Sequence, residues 1–338
     1  MHGKEWPAAK FPVRRAILLQ YPTGMLSHVP ADRLDFQPTE SDVISRQRRS
    51  SAGSRRYTPL QLGLDMSSLP TLFIPHGGGP CFFMDWDPPD TWNRMAEYLR
   101  GMPDEVGSRP KALVVISGHW EEKVATIQNN PTPPLLYDYY GFPPSTYQIS
   151  FPAPGAPGVS ARVAELLEAA GIPYKFDNDR GFDHGVFIPL KVAFPLADVP
   201  IVQVSLLASM DPAEHIRIGQ ALAPLRDEGV LIVGSGMTYH NMRTLMAHMR
   251  GGSNRNTPDA GSQRFDDWLE EVLTKATPEE RIAALAKWDR APGARDAHPR
   301  EEHLLPLHVV VGAALNDPGR RMLKDVVMGA VESAFRFG

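Results

Sequence analysis

The chain has 338 residues, of which 42% are hydrophobic, so it is long enough to bury a substantial core in one large domain or two smaller ones. Its net charge of −4 and pI near 6.3 argue against a nucleic-acid-binding protein, and no apolar run is long enough to span a bilayer. The single cysteine, Cys81, excludes an intrachain disulfide and fits a reducing compartment, so we expect a cytoplasmic protein.

Residues 1–68 differ in composition from the rest of the chain. They contain scattered prolines, a basic cluster over residues 46–56 and only short apolar stretches. Such a segment buries too little apolar surface to fold tightly, which predicts an extension that is disordered or loosely packed. Arginine and serine also occur in organellar transit peptides, but the early Glu5 disfavours that function. We therefore expect one folded domain over residues 69–338.

From residue 69 onward, strand-like and helix-like segments alternate. The predicted strands cover residues 71–74, 111–117, 174–177, 200–206, 229–236 and 325–330. The predicted helices cover residues 159–170, 211–226, 262–275, 278–288 and about 300–315. This alternation favours a single α/β domain with a mixed, largely parallel central sheet flanked by helices. The proline-rich segment 130–157 predicts a long loop able to form the wall of a site.

Histidines recur where these segments begin or end. Three predicted strands end within a few residues of His76, His119 and His240, while His184 and His303 open two helical segments. Ligands bind open α/β sheets at the carboxyl ends of the strands, so we expect these five side chains to converge there. Neutral imidazoles suit Zn(II) or Fe(II), and the pattern therefore predicts a metal site at the strand ends.

The remaining histidines and the cysteine lack this context. Cys81 follows the glycine-rich turn after His76 and is either a soft metal ligand or a small buried residue. His215 lies inside a predicted polar helix and His308 on a helix face, so both are expected to be structural or solvent-facing. The histidines outside the pattern are His2, His28, His215, His248, His298 and His308.

Two metal-independent sites are disfavoured. A serine-hydrolase elbow requires Gly-x-Ser-x-Gly, and the stretch around Ser235 lacks that spacing. The glycines at 77–79 could cradle a phosphate, but neither Gly-Lys-Ser/Thr nor Gly-x-Gly-x-x-Gly follows them. No organic cofactor site is predicted.

Five motifs occur in the order found in a known family. They are His76-Gly with its glycine-rich turn, Ser117-Gly-His119-Trp, Gly181-Phe-Asp-His184-Gly, Tyr239-His240-Asn-Met-Arg243 and Pro299-Arg-Glu-Glu-His303-Leu-Leu-Pro-Leu. Together they resemble the class III extradiol ring-cleavage dioxygenases of the LigB superfamily, most closely the DOPA 4,5-dioxygenase-like branch. The resemblance covers about residues 70–330. Five motifs in one order are far more specific than any single motif.

The resemblance implies an α/β fold with one non-haem divalent metal per subunit. Fe(II) is implied for oxygen chemistry, and Zn(II) is reported in DOPA-dioxygenase-like members. His76, His119 and His303 correspond by motif to metal ligands. Glu302 stays open as an alternative third ligand, because the protocatechuate-cleaving relatives use a carboxylate in that role.

The resemblance also implies catalytic roles for the two remaining motif histidines. His240 corresponds to an acid–base group that can also ligate the metal when zinc is bound, and His184 corresponds to a residue that contacts substrate. The domain over residues 69–338 is then an extradiol dioxygenase that cleaves a catecholic, DOPA-like ring. Its expected partners are a small-molecule catechol and O2, with no nucleic acid and no membrane.

Two other functions stay open on the same scaffold. One is a zinc-dependent hydrolase that uses the same histidines to activate water. The other is a non-catalytic binding protein, as among the Memo-like relatives. The motifs indicate neither the particular catechol nor the oligomeric state.

Overall fold

An eight-stranded sheet occupies the centre of the computed structural model, which describes residues 68–251 and 257–338. Its strands are β1 (Thr71–Pro75), β2 (Ala112–Glu122), β3 (Ala125–Gln128), β4 (Tyr174–Asp177), β5 (Ile201–Leu207), β6 (Val230–Gly236), β7 (Gly319–Val327) and β8 (Ala330–Phe337). Their order across the sheet is β4-β3-β5-β2-β6-β1-β8-β7. The β5-β2-β6-β1 run and the β3–β4 pair are parallel, whereas β3–β5, β1–β8 and β7–β8 are antiparallel. The predicted mixed, largely parallel α/β sheet is confirmed.

Helices cover both faces of the sheet. In the described residues they are α1 (Asn93–Val106), α2 (Pro157–Ala169), α3 (His184–Ala193), α4 (Pro212–Leu222), α5 (Met242–Gly251), α6 (Ala260–Thr274), α7 (Pro278–Leu285), α8 (Ala294–Ala297) and α9 (Leu305–Ala314). Local sequence sets several of their starts. The Asp211 carboxylate accepts hydrogen bonds from the first free N–H groups of α4, and Pro212 fits the first helical position because it has no N–H to satisfy.

The central strands are apolar on both faces because both faces are covered. Leu113 and Val115 of β2 pack into a core formed with α1 and α3. Val114 and Ile116, on the opposite face, pack into a core formed with α2, α4 and α9. This two-sided burial explains why the parallel strands are continuous hydrophobic runs rather than alternating ones.

The parallel strands β1, β2 and β6 direct three motif histidines to one edge of the sheet. His76 directly follows β1, and His240 lies four residues beyond Gly236 at the end of β6. β2 pairs with β6 only as far as Ser117 and continues past it, so His119 lies within the strand rather than after it. A shift of register between Ile116 and Glu121 in the pairing with β5 marks a bulge at this point, which re-aims side chains.

The structure differs from the predicted elements near the C-terminus. β7 and β8 form a hairpin in place of the single strand predicted at 325–330. The two residues between them, Met328 and Gly329, both have positive φ, and methionine gives no sequence signal for such a turn. α9 begins at Leu305 rather than near residue 300, so Pro306 lies in its first turn.

Four further elements of the described residues are absent from the sequence prediction, and one of them is the four-residue helix α8. α1 contains Pro103, which obscures its helical pattern, and β3 is only four residues long. α5 begins at Met242, within the His240 motif. The extension predicted for residues 1–68 lies outside the described residues except for Ser68. Within the described part of the chain, no helix is both long and apolar enough to cross a membrane.

Candidate metal centre

His76 is held at the end of β1 with its ring buried. Its backbone N–H donates to Gly236 O at 3.1 Å, which ties the end of β1 to β6. The ring Nδ1 lies 3.1 Å from Ser235 Oγ, and the Ser235 hydroxyl donates its own proton to Gly185 O. Ser235 Oγ therefore accepts from His76, so Nδ1 carries the proton and Nε2 presents a lone pair.

Two further imidazoles lie close to the His76 ring. His119 Nε2 lies 3.2 Å from His76 Nε2 and 3.2 Å from His303 Nε2. These three side chains form one of the groups of potential metal ligands in the described residues. They come from the end of β1, the bulged part of β2 and the turn before α9, so the fold assembles the group from distant parts of the chain.

A close backbone approach fixes the position of His303. Met237 N donates to His303 O at 3.0 Å, immediately after β6. A Cβ atom on Gly236 would lie 2.1 Å from His303 O, well inside van der Waals contact. Glycine at this position therefore allows the chain before α9 to lie directly against the end of β6.

Glu302 contacts two imidazoles of the site through one oxygen. Its Oε1 lies 3.2 Å from His303 Nδ1 and 3.3 Å from His240 Nδ1. The two rings are stacked, with centroids 3.4 Å apart and planes 16° apart. Burial raises the pKa of Glu302, but its contact with His240 and other favourable groups outweighs burial, so the pKa is lowered and the carboxyl stays ionised.

Asp138, like Glu302, is a carboxylate that contacts two imidazoles of the site. Its Oδ1 lies 2.8 Å from His184 Nδ1 and accepts a hydrogen bond from His184 N at 2.9 Å. Its Oδ2 lies 3.6 Å from His119 Nδ1. Burial raises the pKa of Asp138, but its hydrogen bonds with His184 and its contact with His119 outweigh burial and lower the pKa to about 2.

Buried polar groups hold the segment that carries His240. Glu332 of β8 accepts hydrogen bonds from Thr238 N at 2.9 Å and from Thr238 Oγ1 at 3.2 Å. His298 Nε2 lies 3.0 Å from Thr238 O, and His240 N donates to Ala297 O at 2.9 Å. The backbone that positions His240 is therefore tied to β8 and to the end of α8.

The three clustered imidazoles are neutral at physiological pH. Burial, followed by the charge of neighbouring imidazoles, holds the pKa values of His76 and His303 well below the usual value. Burial, and then His184, lowers the pKa of His119 to about 4. The neutral imidazole is the form that binds a metal ion, so this environment favours ligation over protonation.

Comparison with known proteins identifies the family. A family model described as the catalytic LigB subunit of aromatic ring-opening dioxygenase matches residues 70–335. The chain belongs to the LigB family. The match spans all five histidine motifs and the whole sheet except the last two residues of β8.

Several known proteins are similar to this chain over most of their length. The dioxygenase tasH of Hapsidospora irregularis is 38% identical over 275 residues, covering 78% of this chain and 84% of that protein. A 4,5-DOPA dioxygenase extradiol of Beta vulgaris is 36% identical over 266 residues, covering 78% of this chain and 93% of that protein. The crystal structure of uncharacterized protein JW3007 from Escherichia coli K12 has 31% identity and a TM-score of 0.64, covering 80% of this chain and 100% of that chain.

The donor set of this LigB-family chain fits a divalent metal. LigB dioxygenases use a non-haem metal, and the described residues provide a histidine-rich site for one. Two imidazole nitrogens bound to one ion at about 2.1 Å, with an angle between about 90° and 110°, lie about 3.0–3.4 Å apart. The separations of 3.2 Å between the Nε2 atoms fall in this range.

Two residues that hold site imidazoles are missing from the sequence prediction. Asp138 lies in the loop that was predicted to form a wall of the site, and its position between two tyrosines is its only sequence signal. Ser235 lies in a buried strand, and nothing in the sequence indicates that it faces His76. Glu302, an alternative third ligand by motif, lies with Oε1 against the Nδ1 atoms of His303 and His240 and also belongs to a group of potential metal ligands in the described residues.

Residues outside the pattern have other environments. His215 Nε2 accepts a hydrogen bond from Leu207 N at 3.0 Å, and its Nδ1 lies 2.7 Å from Asp211 O, so this histidine is structural. His308 is also fully buried, against backbone carbonyls of Leu285 and Leu304. Cys81 is buried in an apolar cluster and belongs to none of the groups of potential ligands found in the described residues.

Proposed function

We propose that this LigB-family protein is an extradiol dioxygenase that opens the ring of a catecholic, DOPA-like substrate with O2 at a non-haem iron centre. The observation that carries the proposal is the convergence of three neutral imidazoles beside the carboxyl ends of β1 and β6, with His119 Nε2 lying 3.2 Å from His76 Nε2 and 3.2 Å from His303 Nε2. The substrate class is inferred from relatives named 4,5-DOPA dioxygenase extradiol, among them those of Beta vulgaris and Escherichia coli.

In this proposal His76, His119 and His303 are the metal ligands. Glu302 orients ligands rather than acting as one, because its carboxylate lies against the Nδ1 side of His303. The lone pairs of Nδ1 and Nε2 point away from each other across the ring, so a metal held by Nε2 lies on the side opposite Glu302. A carboxylate behind a ligating histidine is a common second partner that fixes the tautomer of the ring.

His240 is the proposed acid–base group. Its ring is stacked parallel to His303, and both Nδ1 atoms face the same Glu302 oxygen, so the two Nε2 atoms point to the same side. The His240 side chain is 22% exposed, compared with 4% for His303, so its Nε2 remains accessible to substrate. His240 can thus accept a proton from a catechol hydroxyl and return it later, or act as a further ligand when zinc is bound.

The metal determines which reaction these residues support. Bound Fe(II) would acidify the catechol hydroxyls and supply the electron transfer to O2 that Zn(II), with no accessible redox change, does not supply. The chain's own residues hold the ligand nitrogens in place, keep the imidazoles neutral and exchange protons at His240. Activity should therefore follow the iron content of the protein.

The test is anaerobic reconstitution with Fe(II), followed by air and a panel of catechols that includes L-DOPA. We expect O2 uptake and a yellow semialdehyde product from the iron-loaded protein and neither from the zinc-loaded protein. Iron-loaded protein that is inert toward the whole panel would contradict the proposal. Oxygen-independent turnover by the zinc-loaded protein would indicate a zinc-dependent hydrolase instead.

A further inference from the structure

The Asp138 carboxylate makes two contacts with the same residue. Oδ1 accepts a hydrogen bond from the backbone N–H of His184 at 2.9 Å and lies 2.8 Å from His184 Nδ1. The backbone N–H can only donate, and a carboxylate oxygen at neutral pH can only accept. The Nδ1 of His184 is therefore the donor in the second contact, so a neutral His184 ring carries its proton on Nδ1.

This tautomer determines what the other side of the ring can do. A neutral imidazole with its proton on Nδ1 has a bare lone pair on Nε2, which accepts a hydrogen bond and cannot donate one. The His184 ring lies beside two of the proposed ligands, with centroid distances of 3.9 Å to His119 and 5.6 Å to His76. A hydroxyl of a substrate bound next to these ligands is a suitable donor to His184 Nε2.

The loop around Asp138 is itself anchored. The hydroxyl of Tyr137 donates to Ile149 O at 2.7 Å, and the hydroxyl of Tyr139 donates to Thr146 O at 2.7 Å. The two flanking side chains thus fix the backbone on both sides of the carboxylate. Because His184 N begins α3 and is bound by the same oxygen, Asp138 also joins this loop to the start of the helix.

We propose that Asp138 is a positioning residue that holds His184 in the tautomer whose Nε2 accepts a hydrogen bond from a substrate hydroxyl. The inference rests on the proposed function, since it assigns the direction of the hydrogen bond to the catechol. It assigns different roles to the two proposed catalytic histidines. His240 exchanges a proton with the substrate, whereas His184 accepts a hydrogen bond from a substrate hydroxyl. A substrate with an ether oxygen in place of that hydroxyl has no proton to donate and is disfavoured.

The test measures catechol binding to the zinc-loaded protein, in which no turnover is expected, by titration of the catechol absorbance. Metal content is determined first, and saturating Zn(II) is used throughout. We expect Asp138→Ala to weaken catechol binding by about 10-fold to 100-fold, as for loss of a hydrogen bond to a charged group. Asp138→Asn should restore most of the binding, because its amide oxygen can still accept both contacts from His184. Asp104→Asn, which removes an exposed carboxylate on α1, is the matched control and should bind as the wild type does.

A double-mutant cycle separates this role from general support of the loop. In a His184→Ala background, Asp138→Ala should weaken catechol binding by less than about 3-fold, because Asp138 acts through the His184 ring. An equal loss in both backgrounds, or unchanged binding by Asp138→Ala, would overturn the inference. Wild-type zinc protein that binds no catechol would overturn the proposed function as well.

A second measurement does not depend on the folding of the Asp138 variants. Nitrogen NMR of the zinc-loaded protein with ¹⁵N-labelled histidine reports the tautomer of each ring, and the His184→Gln variant identifies the signals of His184. We expect a protonated Nδ1 and a bare Nε2 for this residue. A protonated Nε2 would refute the proposed direction of the hydrogen bond even if the binding data agreed.

Discussion

The histidines of the candidate site and those on helices α4 and α9 are buried to a similar degree but have different partners. His76 and His303 at the site are almost as buried as His215 and His308, and burial lowers the pKa in all four. The ring nitrogens of His215 and His308 lie against backbone groups of their own or a neighbouring segment.

At the site the arrangement is different. The Nδ1 atoms lie against a hydroxyl or a carboxylate, and the Nε2 atoms of three rings meet one another. Burial and a lowered pKa therefore do not distinguish a metal site from a structural histidine. The two kinds of histidine differ instead in the partner of the second ring nitrogen.

The largest expected difference between the two groups is in metal binding. His303→Ala should lose the bound metal and reduce turnover by more than about 100-fold. This loss exceeds the usual effect of substituting a residue that hydrogen-bonds to a metal ligand. His308→Gln should retain one metal per folded chain, because its ring faces the carbonyls of Leu285 and Leu304. Elemental analysis and O2 uptake check both variants, and stoichiometric metal in His303→Ala would exclude His303 as a ligand.

The next effect is on stability in acid. Burial lowers the pKa of His308 to about 4, whereas the same group in the unfolded chain titrates near its ordinary value. The unfolded chain therefore binds this proton first. The stability conferred by the neutral ring is complete above about pH 6.5, and up to about 3 kcal/mol of it is lost as the pH falls from there to about 4.

Urea unfolding at several pH values checks this prediction. The free energy of unfolding of the wild type should fall more steeply between about pH 6.5 and 4 than that of His308→Gln, which has no titrating ring at this position. Both proteins are measured without metal, so the site histidines contribute equally to the two curves. Parallel curves would show that His308 does not contribute to the pH dependence of the free energy of unfolding.

A smaller effect on metal binding is expected from substitution of Glu302, which contacts the proposed ligand His303 on its Nδ1 side. Glu302→Gln should weaken metal binding by about 10-fold to 100-fold while leaving one metal per chain at saturation, because the amide keeps the shape but not the charge that orients His303 and His240. Glu301→Gln is the matched control, since the Glu301 carboxylate pairs with Arg295 at 2.8 Å instead. Complete loss of metal from Glu302→Gln would make Glu302 a ligand and reverse the assignment proposed for His303.

Much of the fold was predictable from local patterns. The buried strands β1, β5 and β6 are continuous apolar runs, and Asp211 with Pro212 marks the start of α4. The elements that were not predicted lack such signals. Pro103 interrupts the helical pattern of α1. The turn between β7 and β8 requires a positive φ at Met328, and this conformation comes from the pairing of the two strands rather than from the methionine itself.

The amino-acid sequence is enough to name the side chains available to the site. The motifs around His76, His119, His184, His240 and His303 identify the family, and strand ends place several of them at one edge of the sheet. Which nitrogen of each ring faces inward becomes visible only in the folded chain. That choice depends on partners far away in the chain, such as Ser235 for His76, 159 residues apart, and Asp138 for His184, 46 residues apart. A hydrogen bond to one ring nitrogen fixes the state of the other, and no local pattern encodes a contact across such distances.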